Sequence, residues 1–453
     1  MIGSPLASLR RFAGLAALLG LSACASFHPE PLALHPSPAG SLAALDRALP
    51  GGGTIAARGA LTPEDYAALA VLNDPALAAG RAGVRLAAAR QFAAGLLPDP
   101  QVSGGFAALL GGPAVAPSIS GGITQDIAAL VTRGPRLSAA RARTAAAAAR
   151  FEWQEWQVAA KVEILAIGLW DERRRLAALD RARSALVGLD RASRAVIRQG
   201  NLAIGAGATA AASLAGIDTA RDAIAQQEQA DHAALAALLG LAPGADLPVA
   251  APDIAPLPAR RVAALVGNLA RRRPDLIALR YGYRATNADL RAAIRAQFPL
   301  LSLAVNGGTD TTRVASLGPT ITLDLPLFDG QHGAIAVARA LRRQLKAAFR
   351  AALDQAAGQA EAAQQALTLL GTEYRQAARR AAIARRDAAA ARLAYAAGLV
   401  DARAEADLID AAANRQAEAI DLQGRIAAGR VSLRTLLGAG LPMIRPLSGP
   451  AKD

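Results

Sequence analysis

The sequence predicts a mainly α-helical fold with a small β part, duplicated so that each copy is a strand pair leading into a long helical hairpin. Residues 321–340, ITLDLPLFDGQHGAIAVARA, begin as an alternating strand, turn at Asp329-Gly330 and continue as an alanine-rich helical pattern. A degenerate copy, ITQDIAALVTRGPRLSAARA, occupies residues 123–142. These two stretches predict a strand-to-helix joint in each half of the chain.

The spacing between the copies is maintained far beyond these stretches. The offset that aligns them also pairs Gly200 with Gly398, and it pairs the run Leu-Leu-Gly at 238–240 with Leu-Leu-Gly at 436–438. One offset kept over more than a hundred residues indicates a tandem duplication. The predicted repeats are residues 61–250 and 251–445, followed by a tail at 446–453.

Composition favours helices that pack through alanine. Aromatic residues are 4% of the 453 residues, so close helix–helix contact has to supply the core. The net charge is +14, and arginines spread through the helical pattern carry nearly all of it. This distribution favours a solvated helical surface over a nucleic-acid interface, which would cluster basic and aromatic residues.

The N-terminus has the organisation of an export signal. Arg10 and Arg11 precede a short apolar run and small residues, which predicts a signal peptide over residues 1–23. The sequence Leu-Ser-Ala-Cys ending at Cys24 is similar to a bacterial lipobox, which implies a lipid on the Cys24 thiol and retention at the outer membrane. An ordinary signal peptide with a chance cysteine is the alternative. The proline- and glycine-rich residues 24–60 are predicted to form an extended tether.

In the first repeat, Thr62 and Pro63 are typical of the start of a helix, and a helical region continues to about residue 97 with a joint at 73–75. Strands are predicted at 101–109 and 117–127. A helix is expected from 137 to a tip at Gly200, with a return helix over 209–239. The outgoing helix carries a coiled-coil seam at Leu179, Ala182, Leu186, Leu189, Ser193 and Val196.

The second repeat follows the same plan. Strands are predicted at 300–305 and 320–327, with a polar loop at 306–317 between them. Proline is absent from 327 to 441 after the joint at Asp329 and Gly330, which predicts a second long hairpin with its tip near Gly398.

The four predicted strands have the length that crosses a membrane in a barrel. Four strands cannot close a barrel, and an open edge in lipid leaves backbone groups unpaired, so several chains would have to contribute. Twelve strands from three chains is the smallest closure with a wide lumen. A soluble hairpin that caps a coiled coil is the alternative.

Several motifs together resemble the TolC-type outer-membrane efflux proteins, lipoprotein branch. They are the lipobox at Cys24, Arg-Arg-Pro-Asp-Leu at 272–276, Phe-Pro-Leu-Leu-Ser-Leu at 298–303, Pro-Leu-Phe-Asp-Gly at 326–330 and Leu-Leu-Gly at 436–438. The resemblance covers residues 61 to about 442. The first copy has lost most of these motifs.

The resemblance implies a homotrimer with a 12-stranded outer-membrane β-barrel continued by a periplasmic α-helical barrel. It implies a passive exit duct for small molecules whose hairpin tips, at Gly200 and Gly398, contact a periplasmic adaptor protein and through it an inner-membrane RND-type pump. The alternatives are the outer-membrane duct of a type I protein secretion system and a periplasmic structural coiled-coil lipoprotein without a pore.

A pair of acidic residues follows the second tip. Asp407 and Asp410 are three residues apart on one helical face, and they match the Asp-x-x-Asp pair that lines the closed periplasmic constriction in the TolC family. Arg403 and Asp401 are candidates for salt bridges that hold the gate closed. This tip carries extra residues between Gly398 and the pair, and two solvated helix acids are the alternative interpretation.

Neither an enzyme nor a metal protein is predicted. His28, His35, His232 and His332 are isolated from one another, without cysteines or acidic clusters at ligand spacing. The sequence contains no phosphate-binding loop or nucleophile motif, and no cofactor is expected. The exported substrate is not encoded in any recognisable motif.

Overall fold

A computed structural model describes the chain in segments that exclude both termini. The described residues are 27–49, 52–56, 59–108, 110, 116–199, 204–298, 300–324 and 330–439. The chain forms two compact units, Met1–Pro38 and Ala39–Asp453. The described part of the first unit, 27–38, contains neither helix nor strand.

The second unit is mainly helical. A short 3₁₀ turn at Leu42–Ala44 precedes nine α-helices within the described residues. They are α1 Pro63–Asn73, α2 Pro75–Gly95, α3 Ala128–Arg198, α4 Ile204–Leu238, α5 Ala259–Val266, α6 Leu269–Arg272, α7 Pro274–Arg295, α8 His332–Ala396 and α9 Ala402–Leu436. Among these described helices, none is long and apolar enough to cross a bilayer.

Four strands form one antiparallel sheet in the order β1-β2-β3-β4. Their bounds are β1 Gln101–Ala107, β2 Ser118–Asp126, β3 Leu300–Thr309 and β4 Ala315–Asp324. The first pair confirms the predicted positions. The predicted loop at 306–317 is wrong, because β3 continues to Thr309 and β4 already begins at Ala315. Serine and glycine on these strands made them look like loop residues.

The two faces of the sheet differ in polarity. On one face Val102 is opposite Ile123, which is opposite Val305, and Leu303 is opposite Ile321. The other face is made of small and polar residues, among them Ser103, Gly122, Thr124, Asn306 and Thr320. The apolar side chains are exposed within this single chain, and Val102 is 80% accessible.

The helices begin and end where local chemistry dictates. Thr62 and Asp65 form a capping box at α1: the Asp65 amide donates to the Thr62 hydroxyl at 3.1 Å, and the Thr62 amide donates to Asp65 at 3.0 Å. The predicted joint at 73–75 is confirmed, since Asp74 accepts hydrogen bonds from the amides of Ala76 and Leu77 to cap α2.

Helix α3 starts nine residues earlier than predicted and contains Pro135 in its second turn. Proline cannot donate to the carbonyl four residues before it, which here is Val131. The guanidinium of Arg295 at the end of α7 donates to that carbonyl at 3.4 Å. A tertiary contact therefore satisfies the group that proline leaves unpaired.

The predicted seam on α3 is buried, except at its end. Leu179, Leu186, Leu189 and Ser193 are at most 5% accessible, whereas Val196 is 37% accessible near the tip. The three leucines pack against α4 and the start of α9. Helix α8 contributes mainly small residues to its interfaces, with Ala356, Ala360, Ala377, Ala381 and Ala391 buried.

Both returning helices end on glycine in the same way. Gly240 after α4 and Gly438 after α9 have φ values of +70° and +64°, and in each case the following amide donates to the carbonyl five residues earlier. This is a Schellman cap. Gly240 lies beside Asn73 and Pro75, and Gly438 lies beside Arg272 and Arg273. Each returning helix therefore ends against the start of a short helix of its own repeat.

We expect Gly438→Ala to destabilise the protein by about 2–3 kcal/mol, because an L-residue is strained at this φ and the new methyl group would meet backbone atoms. A Cβ at Gly438 would lie 3.0 Å from the Arg272 carbonyl carbon and 3.1 Å from the Arg273 nitrogen. Chemical unfolding followed by circular dichroism measures the change.

Two glycines serve as controls. A Cβ at Gly240 would have no atom closer than 3.5 Å. Gly240→Ala should therefore lower the free energy of unfolding only by the backbone strain of about 1–2 kcal/mol. Gly216→Ala, in an open position within α4, should be neutral or stabilising by up to about 1 kcal/mol. Equal effects of all three substitutions would contradict the proposed role of Gly438.

Candidate functional site

The turn between α8 and α9 is built by a helix stop and a helix start only a few residues apart. Gly398, at φ +72°, ends α8 in a Schellman cap in which the Leu399 amide donates to the Ala394 carbonyl at 2.8 Å. Asp401 then starts α9 by accepting a hydrogen bond from the Ala404 amide at 2.8 Å. The structure thus gives Asp401 an N-cap role at the predicted tip.

The acidic pair lies on the first turns of α9. The Asp407 side chain is 58% accessible, and its Oδ2 is 4.0 Å from Nε of Arg403, one turn earlier. Asp410 is half-buried and accepts a hydrogen bond from Asn414 Nδ2 at 3.1 Å. Burial raises the pKa of Asp410, the Asn414 hydrogen bond lowers it, and the charge of Asp407 raises it further. The charge of Asp407 therefore acts on Asp410.

A fourth acid at this tip was missed by the sequence reasoning. Glu405 is 6% accessible, and its Oε2 has no hydrogen-bond partner among the described residues. Burial raises the pKa of its carboxyl, while Arg392 on α8 lowers it. Its position in the middle of a polar run gave no signal of burial.

The remaining predicted site residues lie partly outside the described segments. Cys24, Gly200 and Asp329 are outside them. Gly330 is described, with φ +50°, and Gln331 with φ +59° directly precedes the first residue of α8. The chain therefore enters α8 through two consecutive residues in the left-handed region.

Buried carboxylates along α3 form a second group that the sequence reasoning missed. Glu155, Glu163, Asp171 and Glu172 are at most 6% accessible. Burial raises the pKa of Glu155, Glu163 and Asp171 to about 7 in each case, against the opposing charges of neighbouring arginines. Only their three-dimensional neighbours distinguish these acids from surface residues.

Two of these acids take part in ion pairs that connect α3 to α9. Glu163 forms an ion pair with Arg434, which also approaches Glu64 on α1 at 3.9 Å. Asp171 is 3.8 Å from Arg175, whose guanidinium is 3.3 Å from Asp421 on α9. These ion pairs connect the helices of the first and second repeats.

Among the residues that the structure describes, no cation forms an ion pair with Glu172. Burial raises the pKa of its carboxyl to about 8; Asp231, Glu228 and Asp171 add to the increase, and Arg175 opposes it. Its Oε2 has no hydrogen-bond partner among the described residues. Within those residues, no three histidine, cysteine or acidic side chains are placed to hold a metal ion.

The arginine of the Arg-Pro-Asp motif occupies the junction of three helices. Arg273 is 5% accessible and donates to both carboxylate oxygens of Asp275, at 3.0 and 2.7 Å. It also donates to the Leu436 carbonyl at 3.4 Å, and its guanidinium lies 4.8 Å from the Trp153 ring centre. The motif therefore connects α7 to the end of α9 and to α3.

Comparison with known structures identifies the fold. The outer-membrane channel OprN superimposes with a TM-score of 0.71 at 18% identity, over 92% of this chain and 100% of that chain. VceC from Vibrio cholerae gives 0.69 at 20% identity, over 84% and 96%. CusC gives 0.70 at 17% identity, over 83% and 92%. At these identities the similarity establishes the fold.

Sequence comparison adds one short match. A segment of 100 residues is 34% identical to the outer membrane protein OprJ of Pseudomonas aeruginosa, and it covers 19% of this chain and 20% of OprJ. The match thus spans about a fifth of that relative. No protein-family model matches the chain.

We expect Glu172→Gln to stabilise the protein by roughly 1–2 kcal/mol at pH 8.5, with the gain shrinking towards zero near pH 5. The folded-state pKa of Glu172 is raised to about 8 from 4.5, so the unfolded chain loses this proton first as pH rises. The wild-type protein therefore loses stability between these two values, and the neutral glutamine does not.

Unfolding free energies measured from pH 5 to pH 9 check this expectation. Glu361→Gln, at an exposed position of α8, is the control and should show no comparable trend. A pH-independent difference between Glu172→Gln and the wild type would contradict the buried, uncompensated state of the carboxyl.

Proposed function

We propose that this chain, which has the fold of the TolC-type outer-membrane efflux channels, is one protomer of a passive exit duct in the outer membrane. The observation that supports this best is the two-faced sheet. One face carries Val102, Ile123, Val305 and Ile321, and the other carries small and polar residues. Apolar-out and polar-in alternation is typical of a transmembrane barrel with a water-filled interior.

The barrel is completed by other copies of the chain. The four strands form an open sheet whose edge strands, β1 and β4, each pair with one neighbour in the described chain. Unpaired strand edges are costly in lipid, so the edges pair with those of neighbouring protomers. Three copies give a 12-stranded barrel, which the long hairpins continue as a periplasmic α-helical barrel.

The rest of the chain has roles consistent with this duct. Residues 1–23 are the signal peptide, and Cys24 carries the lipid. Residues 24–60 link the lipid to the helices, but the expectation of an extended tether over this whole range is wrong, because Leu42, Leu45 and Ile55 are buried in the helical core. The repeats 61–250 and 251–445 form the walls. The tips near Gly200 and Gly398 contact a periplasmic adaptor protein, through which an inner-membrane RND-type pump supplies the cargo and the energy.

The acids that follow Gly398 form the periplasmic gate. Threefold repetition turns Asp407 and Asp410 into two rings of carboxylates, which attract cations at a narrowing. Burial raises the pKa of Asp410, and the charge of Asp407 adds to the increase, which supports placing both carboxylates at one narrowing. Arg403 approaches Asp407 within the same helix and reduces the charge of that ring.

We expect the purified lipoprotein to be trimeric and to conduct ions in planar bilayers, because three copies are needed to close the barrel. Mass measurement in detergent and single-channel recording provide the tests. A monomer recovered in the soluble fraction, without conductance, would contradict the duct and favour a structural coiled-coil protein.

We expect the double substitution Asp407→Ala and Asp410→Ala to weaken block of single channels by divalent cations about tenfold or more, because both carboxylate rings are removed. Block constants for Mg²⁺ or Ca²⁺ measure the change. Arg403→Ala is the control of opposite sign: loss of the cation 4.0 Å from Asp407 should strengthen the block. Unchanged block in the double variant would exclude these residues from the gate.

A further inference from the structure

The apolar core along α3 is interrupted by a layer of charged residues. Leu169 is the last α3 residue of one hydrophobic cluster, and Leu176 and Leu179 begin the next. Between them lie residues 171–175, Asp-Glu-Arg-Arg-Arg, of which both acids are buried. The polar layer consists of these five residues and the acids of α4 and α9 that act on them, Glu228, Asp231 and Asp421.

Glu172 lies on the side of the polar layer that packs against α4. The charges of Asp231 and Glu228 both act on its carboxyl, and its Oε2 has no hydrogen-bond partner among the described residues. Arg173 donates to Glu228 at 3.1 Å and compensates that acid. Asp231 accepts a hydrogen bond from the Gln227 amide at 2.9 Å, and in the described part of the chain no cation pairs with it. Negative charge therefore exceeds positive charge on this side.

Asp171 lies on the side that packs against α9. Its Oδ2 is 3.8 Å from Arg175, whose guanidinium is also 3.3 Å from Asp421. Arg425 approaches Asp421 from the same helix at 3.8 Å. Arg174 opposes the charge of Asp171 from a greater distance, since its guanidinium is engaged elsewhere on α9 and over an indole ring. One cation, Arg175, is therefore shared between two acids.

Two glycines bring the three helices close together at the polar layer. A Cβ at Gly424 on α9 would lie 2.7 Å from Oδ1 of Asp171, and a Cβ at Gly168 on α3 would lie 3.0 Å from Oδ2 of Asp231. The carboxyl groups therefore lie directly against the neighbouring helix. Oδ1 of Asp171 is buried there without a hydrogen-bond partner among the described residues.

A buried carboxyl whose oxygens lack partners is most stable in its neutral form, because the ionised form loses its hydration without compensation. We propose that the polar layer is a proton-sensitive joint of the long helices. Protonated Asp171 and Glu172 allow α3 to pack closely on α4 and α9, and loss of these protons loosens the layer. The hydrophobic clusters on either side remain packed, so the two parts of the helices move about this layer.

The titration of these two acids supports the joint. Burial raises the pKa of Asp171 from 3.8 to about 7 and the pKa of Glu172 from 4.5 to about 8. In the loosened layer, water reaches both carboxyls and returns each pKa towards its ordinary value. The packed layer thus holds protons that the loosened layer releases. Close packing is fully favoured below about pH 4, weakens as the pH rises, and is weakest above about pH 8.

The role of the joint in gating rests on the proposed function. Asp171 lies 27 residues before the end of α3 at Arg198, which is about 40 Å along the helix. Helices α4 and α9 both lead away from the tips and pass the polar layer. Loosening of the layer therefore frees the tip part of both hairpins, and we expect the duct to open more often as the pH rises.

Hydrogen exchange of the purified full-length protein in detergent, followed by mass spectrometry at pH 6 and pH 8.5, tests the joint. Protection factors already account for the effect of pH on intrinsic exchange. We expect those of residues 168–176 to fall at least about tenfold between these pH values, and those of residues 352–364 of α8 to stay within about twofold. Unchanged protection at 168–176, or an equal fall in both segments, would overturn the proposal.

Two double variants assign the effect to the buried acids. Asp171→Asn with Glu172→Gln keeps both side chains neutral, so the protection of residues 168–176 should stay within about twofold between pH 6 and pH 8.5. Glu361→Gln with Asp387→Asn removes two exposed acids of α8 and should retain the wild-type fall. Persistence of the fall in the first variant, or its loss in the second, would overturn the proposal.

Single-channel recording separates the joint from the duct. The open probability of the wild type should rise between pH 6 and pH 8.5, and that of the Asp171→Asn and Glu172→Gln double variant should rise at least about tenfold less. An equal rise in both would overturn the role of the layer in gating. Absence of conductance, with the pH-dependent exchange intact, would contradict the duct and leave the joint standing.

Discussion

The buried guanidinium of Arg273 is the contact on which the arrangement of the helices depends. A buried charge is tolerated only when its partners are all in place, and Arg273 finds them on Asp275, on the Leu436 carbonyl and on the Trp153 ring. Gly438 permits this geometry because its missing side chain leaves space for the backbone of 272–273. The axial positions of α3, α7 and α9 are thereby fixed relative to one another.

In the first repeat, the corresponding joint between helices has fewer close contacts. There Asp74 caps α2, and Gly240 ends α4 with no atom closer than 3.5 Å to the position of a Cβ. A cap at the helix N-terminus stabilises one helix, whereas the Arg273 network holds three. At the first joint, Asn73 exchanges hydrogen bonds with the backbone of Asp46, and Arg81 donates to the carbonyls of Val71 and Leu72. The two joints therefore differ in the contacts that hold them.

The sequence was sufficient to predict elements that local chemistry defines. Thr62, Gly398 and the joint at 73–75 begin or end helices through their own side chains or backbone freedom, so they could be read without a structure. Features that depend on distant partners could not be read. Pro135 remains helical because Arg295 reaches Val131, and the strand character of 306–309 depends on pairing with β4. Burial of Glu172 is likewise a property of its neighbours on α4.

Negative and positive charges are concentrated at different ends of the proposed duct. The second tip carries Asp401, Glu405, Asp407 and Asp410 within ten residues. The helix segments next to the sheet, residues 75–97, 128–151, 274–298 and 330–353, contain 17 arginines and lysines but only two acids. Asp410 on α9 and Lys346 on α8 lie near opposite ends of the hairpin that these helices form. The acidic and the basic residues therefore each act on ions at their own end of the hairpin. An anion that leaves the acidic tip therefore moves towards lower electrostatic energy. Asp401 also caps a helix N-terminus, which partly neutralises it and leaves Asp407 and Asp410 as the principal negative charges of the proposed entrance.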